Sequence, residues 1–352
     1  MGERGRVLAL LACLPLAAQS PAYFPEDSPN PWLPAWELNL RHDRVEGLTG
    51  DEADFQRTRA RLRLRWAWNL GPFEATVGSW HSLGGDSKGL DIERYENQPS
   101  AGSRVDVAQL KWSGAGTAWF GDLTAGQQES PLISQESWWD RDLRVIGLGF
   151  RAGYKGEDLL QELGLRGIAG RVPTLLGGKV DLAGLQGVLA FDTGPLSWTF
   201  HAAHLQLRWE PSEYREHPLP GQDPRARQKL NLDAGGVAVI WNAAVPVEIR
   251  GIDQRNPDTG DDGQEAQVWF GSRRRVWWPQ FGYVWQRFGR TGTFFPVNGD
   301  DWWWISNARG PRYELALPLP AKWLVTATHI RHRWYPGEQL VVRWNLGISK
   351  RF

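Results

Sequence analysis

Cysteine is almost absent from this chain of 352 residues, which contains only Cys13. That residue lies within an apolar stretch, residues 7–18, which follows arginines at positions 4 and 6. A short apolar stretch behind a basic start is typical of a secretory signal peptide. We expect cleavage after Ala18; the alternative is a lipoprotein-type cleavage at Cys13. After cleavage at Ala18 the mature chain has no cysteine, which excludes disulfides and thiolate metal sites.

Long apolar runs and an excess of either charge are also missing. No run of 18 apolar residues occurs, so the sequence predicts no transmembrane helix, and 40 basic residues balance 40 acidic ones. A transmembrane β-strand needs only every second residue to be apolar, so a hydrophilic average does not exclude a membrane barrel. Tryptophan is abundant, at 22 residues. This abundance is typical of the aromatic girdles of such barrels; the alternative is packing in an aromatic core.

The last segment, residues 339–352, alternates between an apolar and a polar face. The apolar face carries Leu340, Trp344 and Phe352, and the polar face carries Arg343 and Asn345. A period of two predicts a β-strand. A terminal Phe in register with the apolar face resembles the last strand of bacterial outer-membrane β-barrels. The resemblance implies that Phe352 is an assembly signal read by the barrel-assembly machinery, and that outer-membrane lipid is the second partner.

Residues 57–68 carry an arginine at every second position. Arg57, Arg59, Arg61, Arg63 and Arg65 share one face, while the other face is apolar and ends in two tryptophans. A helix would scatter these arginines around all its sides, whereas a strand gathers them on one. Arginine facing lipid at mid-depth costs about 2–4 kcal/mol, so in a barrel the apolar face must be the one that meets lipid. The arginines are therefore predicted to line the lumen.

Strand-like segments recur along the whole chain, joined alternately by short turns and long polar loops, as in an outer-membrane barrel. The predicted strands are 36–42, 57–68, 73–82, 106–112, 117–126, 142–154, 163–170, 179–192, 196–209, 229–241, 247–253, 266–273, 276–288, 313–317, 323–334 and 339–352. The pattern predicts an all-β fold, an antiparallel up-and-down transmembrane barrel of about 16 strands, with 14 or 18 as alternatives. The short turns are expected to be periplasmic and the long loops extracellular. In residues 236–241 and 323–334, either face of the strand is suited to contact lipid.

Three segments follow from this interpretation. Residues 1–18 form the signal peptide, residues 19–34 a proline-rich periplasmic lead-in, and residues 35–352 the transmembrane barrel. The predicted location is the bacterial outer membrane, where the protein is integral.

Two motifs connect the chain to a known group. Residues 126–132 and 139–147 resemble a group of bacterial outer-membrane porins, whose members combine a strand end, a proline-containing loop and a Trp-Asp-x-Asp-Leu motif. Residues 38–41 and 57–62 are similar to that group and to the alginate-export porins. The arginine-rich signatures of alginate exporters are missing, so export of that polymer is not expected. The resemblance implies a passive or weakly selective outer-membrane channel for small hydrophilic solutes.

Candidate site residues follow from parity and from loop order. The predicted pore-lining residues are Arg57, Arg59, Arg61, Arg63, Arg65, Arg343, Asp122, Glu248 and Glu314. Residues 127–141 form the third long loop, which by analogy with general porins folds inward as a constriction. Its predicted members are Glu129, Pro131, Glu136, Asp140 and Arg141.

The arginines leave two alternatives open. An arginine stripe favours anions in a pore. The arginines are alternatively structural and paired with lumen acids such as Asp122, Glu248 or Glu314. A rival function is a sugar or oligosaccharide channel with a tryptophan stacking track, for which residues 302–304 are a candidate.

No catalytic set of residues emerges, so the sequence does not predict an enzyme. His201 and His204 are three apart on a strand and face opposite sides, as do His329 and His332, so neither pair is expected to share a metal. The acidic loop at 256–265 lacks the spacing of a calcium-binding EF-hand. We expect no cofactor, no metal and no nucleic-acid partner, and the oligomeric state is left open. A barrel enzyme and a barrel that sheathes a partner protein are the remaining alternatives.

Overall fold

The computed structural model describes residues 33–47, 54–86, 102–133, 139, 143–156, 159–173, 180–209, 228–293, 308–334 and 339–351. Within these residues the chain forms sixteen β-strands in one closed antiparallel barrel. The predicted fold class is therefore confirmed. None of the described residues belongs to a helix long and apolar enough to cross a membrane.

The strands follow one another around the barrel in chain order. They are β1 (Ala35–Glu46), β2 (Phe55–Leu70), β3 (Phe73–Asp86), β4 (Gly102–Ala115), β5 (Trp119–Gln128), β6 (Val145–Tyr154), β7 (Leu160–Val172), β8 (Val180–Thr193), β9 (Leu196–Trp209), β10 (Gln228–Trp241), β11 (Val247–Arg255), β12 (Asp262–Gly271), β13 (Gln280–Phe288), β14 (Ala308–Leu319), β15 (Trp323–Trp334) and β16 (Gln339–Arg351).

The first and last strands close the barrel. β1 pairs with β16 in an antiparallel ladder that runs from Glu37 opposite Arg351 to Glu46 opposite Val342. β1 also pairs with β2 along its length, so its backbone groups have partners on both sides. Closure removes the exposed edges that an open sheet would leave, which a structure in lipid requires because no water is present to satisfy them.

The connections differ in length between the two ends of the barrel. Counted between the strand bounds, one end has connections of two to eight residues and the other has connections of four to nineteen. We call these the short-turn end and the long-loop end. The alternation predicted from the sequence is present, although two connections of the long-loop end, 256–261 and 335–338, are themselves short.

Several predicted strand bounds differ from the observed ones, and the predicted strand at 276–288 begins four residues too early. The segment at 276–288 becomes a strand only at Gln280. Trp277 has a positive φ of 66°, and the Trp278 amide donates to the carbonyl of Arg275 at 3.1 Å, which forms a turn. Pro279 then has no amide to donate to a ladder, so pairing begins after it.

Apolar side chains face away from the barrel axis and polar side chains face inward. On β16, Trp344 and Leu346 are 52% and 59% exposed, while the neighbouring Arg343 is 2% exposed. This arrangement is the reverse of a soluble protein and is the one that a lipid surrounding favours. For the segments 236–241 and 323–334, where the sequence left open which face meets lipid, the even-numbered residues face inward. Ala238 on β10 and Ile330 and His332 on β15 are buried on that inward face.

Outward aromatic rings concentrate near the short-turn end. Phe191 and Trp198 stack with ring centroids 6.2 Å apart, and Trp119 meets Tyr154 edge-on at 5.4 Å. The large exposed aromatic residues there include Phe73, Trp112, Trp119, Phe200, Trp241, Phe270 and Phe281. A belt of this kind is the girdle that β-barrels place at a membrane interface.

Candidate functional site

The five alternating arginines all lie on the inward face of β2. Arg57, Arg59, Arg61 and Arg63 are at most 8% exposed, whereas the side chain of Arg65 is 23% exposed. β2 runs from the long-loop end towards the short-turn end, so the arginines nearer the long loops are shielded and the last one meets solvent. The row is therefore a charged wall with one accessible end. We call it the arginine wall.

Asp43 on β1 binds four arginines at the long-loop side of this wall. Its Oδ1 accepts hydrogen bonds from Arg41 Nε at 3.0 Å and Arg343 Nη2 at 2.9 Å. Its Oδ2 accepts one from Arg57 Nη2 at 3.1 Å and lies 3.8 Å from Arg59 Nη2. Asp43 is fully buried, so these charge-assisted hydrogen bonds hold β1, β2 and β16 together.

Sequence reasoning missed Asp43. Alternation along β1 would have predicted its inward position, because Glu37, Arg41 and Asp43 all lie at odd positions on the inward face of β1. Arg343, which was predicted to line the pore, joins this cluster through the β1–β16 ladder. Asn345 adds a further hydrogen bond from its Nδ2 to Asp43 Oδ1 at 3.0 Å.

Trp80 on β3 packs against the arginines in the middle of the arginine wall. The guanidinium carbons of Arg63, Arg104 and Arg61 lie 4.0, 4.2 and 5.0 Å from its ring centroid. Cation–π attraction stabilises each guanidinium over the indole, by about 2 kcal/mol when the pair is desolvated. The ring is 2% exposed, so it serves as a support for the arginines and offers no free face to a solute.

The loop after β5 meets the accessible end of the wall. Glu129 Oε1 lies 3.7 Å from Arg65 Nη1 and 3.3 Å from Arg144 Nη2. Arg144 Nη2 also contacts both carboxylate oxygens of Asp106 on β4, at 2.9 and 3.2 Å. Glu129 remains 45% exposed. This predicted loop residue therefore lies next to the arginine that solvent reaches.

The same loop then lies against the inner face of β6 to β9. Gln186 on β8 accepts from the amide of Ile133 at 2.7 Å and donates to its carbonyl at 3.1 Å. Arg166 on β7 donates to the carbonyl of Pro131 at 3.4 Å. Both Gln186 and Ile133 are buried. These contacts fix residues 131–133 inside the barrel.

Glycines make room for the loop on the inner wall. A Cβ on Gly184 would lie 3.0 Å from Leu132 Cδ1, and a Cβ on Gly149 would lie 3.3 Å from Pro131 Cγ. Leu132 belongs to a buried apolar cluster on the inward faces of β6 to β10, towards the long-loop end. The cluster contains Leu132, Trp139, Leu143, Val145, Ile168, Val172, Val180, Leu182, Ala203, Leu205, Leu207, Trp209, Leu230 and Leu232. Because this part of the wall is apolar, burial there stabilises the inward position of the loop.

The three acids predicted to line the pore each lie beside another cation. Asp122 Oδ2 is 3.5 Å from Lys111 Nζ, and Glu248 Oε1 is 2.5 Å from Arg250 Nε. Glu314 binds Arg312 and Arg273. All three acids share the inward parity of their strands. Among the described contacts these three acids pair with cations outside the arginine wall, whereas Asp43, Asp106 and Glu129 lie beside the wall.

The arginine wall and its surroundings keep a positive excess. The described arginines on or around it are Arg41, Arg57, Arg59, Arg61, Arg63, Arg65, Arg104, Arg144 and Arg343. Three carboxylates, from Asp43, Asp106 and Glu129, pair with members of this set. A fourth acid, Glu37, is buried on the inward face of β1 opposite Arg63, so the described residues place nine arginines and four acids on this side of the barrel.

The two histidine pairs divide between the faces of their strands. His201 is buried on the inward face of β9, while His204 faces outward, where its Nδ1 lies 2.6 Å from Asp233 Oδ1. His332 is buried on the inward face of β15, and His329 faces outward and stacks on Trp344 at 3.7 Å. Neither pair brings its two rings to one point.

Several predicted positions lie outside the described residues. They are the signal peptide 1–18, most of the lead-in 19–34, the loop residues Glu136, Asp140 and Arg141, the tryptophans 302–304, and Phe352.

Comparison with known proteins gives a likeness in fold. No protein-family model and no curated protein matches the sequence. Among solved structures, Pseudomonas putida OprB at high pH aligns with a TM-score of 0.58 and 10% identity, over 90% of this chain and 94% of that chain. OmpF of Salmonella typhi, in complex with daunomycin, aligns with a TM-score of 0.52 and 12% identity, over 90% of this chain and 97% of that chain. These neighbours are porins, so the expected porin fold is confirmed.

Proposed function

We propose that the protein is an outer-membrane channel through which small hydrophilic solutes diffuse passively, with a preference for anions. The observation that carries the proposal is a closed barrel, apolar outside, in which nine described arginines and four described acids share one inner wall. The likeness in fold to porins supports a channel in the outer membrane rather than an enzyme.

The narrow part of the path lies between the arginine wall and the loop after β5. Pro131, Leu132 and Ile133 hold this loop against the far wall, and Glu129 brings it next to Arg65. Charged walls around a narrow aqueous path focus the electric field. The shielded arginines act through that field, whereas Arg65 acts by direct contact, so anions gain most near Arg65.

Conductance tests the proposal. The purified protein, inserted in a planar bilayer under a KCl gradient, is expected to give discrete channel steps and a reversal potential on the anion-selective side. The absence of channel steps would contradict the channel. A cation-selective pore, or an indifferent pore blocked by oligosaccharide, would favour the sugar channel instead.

A sugar-stacking track has little support among the described tryptophans. Trp80 is covered by arginines, and Trp119 and Trp241 are among those exposed on the outward face. Trp269 on β12 faces inward, but its indole donates to Gln267 at 2.8 Å and Arg273 lies 5.8 Å from its ring. Anion preference therefore remains the better proposal.

A further inference from the structure

Arg151 on β6 lies inside the barrel, on the short-turn side of the loop after β5. The loop covers Gly149, two positions nearer the long-loop end on the same inward face, because a Cβ there would lie 3.3 Å from Pro131 Cγ. The side chain of Arg151 is partly exposed. It is therefore the first inward side chain of β6 that a solute meets once it has passed the loop.

The two residues directly opposite Arg151 each have another partner. On β5 the opposed residue is Asp122, whose Oδ2 lies 3.5 Å from Lys111 Nζ. On β7 it is Arg166, whose Nη2 donates a hydrogen bond to Glu162 Oε1 at 2.8 Å. Like charges in directly opposed positions are destabilising. The juxtaposition of Arg151 and Arg166 is thus relieved when an anion binds beside them.

An aromatic ring supports Arg151. Its guanidinium carbon lies 5.8 Å from the ring centroid of Phe120 on β5, and Lys155 Nζ lies 5.2 Å from the same centroid. Phe120 is directly opposite Gly153, where a Cβ would lie 3.0 Å from Phe120 Cε1, so the ring reaches across the glycine. A cation–π contact orients a guanidinium through its face and leaves the N–H donors at its edge for an acceptor.

Among the residues that the structure describes, no carboxylate or other acceptor pairs with Arg151. Its contact there is the Phe120 ring, and its Nε is buried without a hydrogen-bond partner. Burial of Nε restricts the guanidinium, while the partly exposed side chain directs its terminal nitrogens to the lumen. A fixed cation without an acceptor, at the lower edge of the constriction, is suited to bind an anion that passes.

We infer that Arg151 is a binding site for the carboxylate of small organic acids that cross the channel. One guanidinium presents two parallel N–H groups, which match the two oxygens of a carboxylate. A phosphate has a third acceptor oxygen, and the neighbouring Arg166 already donates to Glu162 and to the carbonyl of Pro131. The inference rests on the proposed function and extends it from a preference for anions to a named class of anion.

Arg250 on β11 supplies a matched comparison. It is also an inward, partly exposed arginine, but its Nε lies 2.5 Å from Glu248 Oε1, so it already has a carboxylate partner. Replacing Arg250 removes the same charge from the lumen as replacing Arg151. The two changes therefore separate direct binding from the effect of net charge.

Block of the chloride current tests the site, with potassium butyrate as the probe and inorganic phosphate at alkaline pH as the comparison. The purified protein is held in a planar bilayer in symmetric KCl, and the concentration of each anion that halves the chloride conductance is measured. Butyrate is expected to block the wild-type channel. Arg151→Gln is expected to require about ten-fold more butyrate, the difference in affinity that a hydrogen bond to a charged group makes.

Two further variants complete the test. Arg151→Lys, which keeps the charge without the planar fork, should require an intermediate concentration of butyrate. Arg250→Gln should require at most about two-fold more butyrate than the wild type, because salt screens a charge that makes no direct contact. Discrete channel steps from each variant show that it has folded and inserted.

Four outcomes would overturn the inference. They are a wild-type current that butyrate does not block, an unchanged half-blocking concentration in Arg151→Gln, an equal loss in Arg250→Gln, and a block by phosphate that depends on Arg151 and is stronger than that by butyrate. Channel steps and the reversal potential of the wild type in KCl alone test the proposed function without butyrate. Failure of the carboxylate site and failure of the proposed function therefore remain distinguishable.

Discussion

At the scale of single residues, the inner charges divide into shielded and accessible groups. Asp43 and the arginines that it binds are buried, so their interaction is strong and their individual removal costly. Arg65 is partly exposed and has a carboxylate neighbour at 3.7 Å. The first group holds the barrel wall together, and the second is in a position to act on passing ions.

Asp43→Asn is expected to destabilise the barrel by about 3–5 kcal/mol, because four guanidiniums would lose their buried counter-charge. The measurement is the urea midpoint of the refolded protein, followed by the heat-modifiable shift on gels. Asp122→Asn serves as the control, since Asp122 is 18% exposed and contacts one lysine at 3.5 Å. Equal effects of the two changes would contradict a special role for Asp43.

Arg65→Ser is expected to lower the anion-to-cation permeability ratio about two- to three-fold. A unit charge about 7 Å away contributes about 0.6 kcal/mol in water-like surroundings, and salt at 0.1 M about halves this. Because the charge acts with opposite sign on anions and cations, the two effects together change the ratio by about 0.6 kcal/mol. Reversal potentials under a KCl gradient measure the change. Arg44→Ser, which removes an outward arginine, should leave the ratio unaltered; a comparable loss there would mean that the effect comes from net charge alone.

At the scale of structural elements, the loop after β5 and the strand β16 have distinct tasks. The loop is held to the inner wall by hydrogen bonds from two strands and by an apolar cluster. β16 closes the barrel against β1 and supplies Arg343 to the Asp43 cluster. Each element can be changed without removing a charge of the arginine wall.

Gln186→Leu is expected to loosen the loop, because the amide and carbonyl of Ile133 would lose their partner, at about 1–3 kcal/mol for each unsatisfied group. Single-channel conductance should rise and its fluctuations should increase. Deleting residues 130–136 should raise conductance further. The control is Gln286→Leu, which changes an equally buried inward glutamine that contacts His332 at 3.3 Å. A loop that does not narrow the path would leave conductance the same in both variants.

Deletion of Phe352 is expected to lower the amount of assembled protein in outer-membrane fractions. In the sequence the residue comes directly after β16 and has the same parity as Leu346 and Ile348. Heat-modifiable band intensity on gels measures assembly. Phe352→Tyr, which keeps an aromatic ring, should assemble normally, and an undiminished band after the deletion would speak against an assembly signal.

At the scale of the whole molecule, the interior is asymmetric. The arginine wall of β2 and the charged residues around it occupy the side formed by β1 to β4 and β16, while an apolar inner wall covered by the loop lies on β6 to β10. Ions that pass between them experience a field from one side. Dissolved salt screens this electric field, so the field reaches across the channel only at low salt concentration.

Anion preference is therefore expected to decrease as the salt concentration increases. The screening length falls from about 10 Å at 0.1 M to about 3 Å at 1 M, so the shielded arginines should contribute little at high salt. Reversal potentials at a fixed KCl ratio and rising absolute concentration test this. A preference that stays constant would instead indicate that direct contact with Arg65 determines selectivity.

The sequence predicted about 16 strands, their approximate bounds and the face that most of them present. The alternation of arginine on β2 and of apolar residues on β16 is a local property, since neighbouring side chains of a strand point to opposite sides whatever the strand pairs with. The porin-like barrel followed from this pattern and from the loop lengths. The start of β13 was missed because the backbone at Trp277 turns with a positive φ that its sequence does not signal.

Only the tertiary structure decided which charges meet. Asp43 and Arg343 are 300 positions apart, and Ile133 and Gln186 are 53 apart. Their contacts depend on the register between strands and on the path of the loop, which parity along one strand does not specify. The sequence therefore supplied an inward row of arginines, and the pairing of β1 with β2 and β16 decided that Arg57 and Arg59 are buried around Asp43 and that Arg65 is the accessible end of the row.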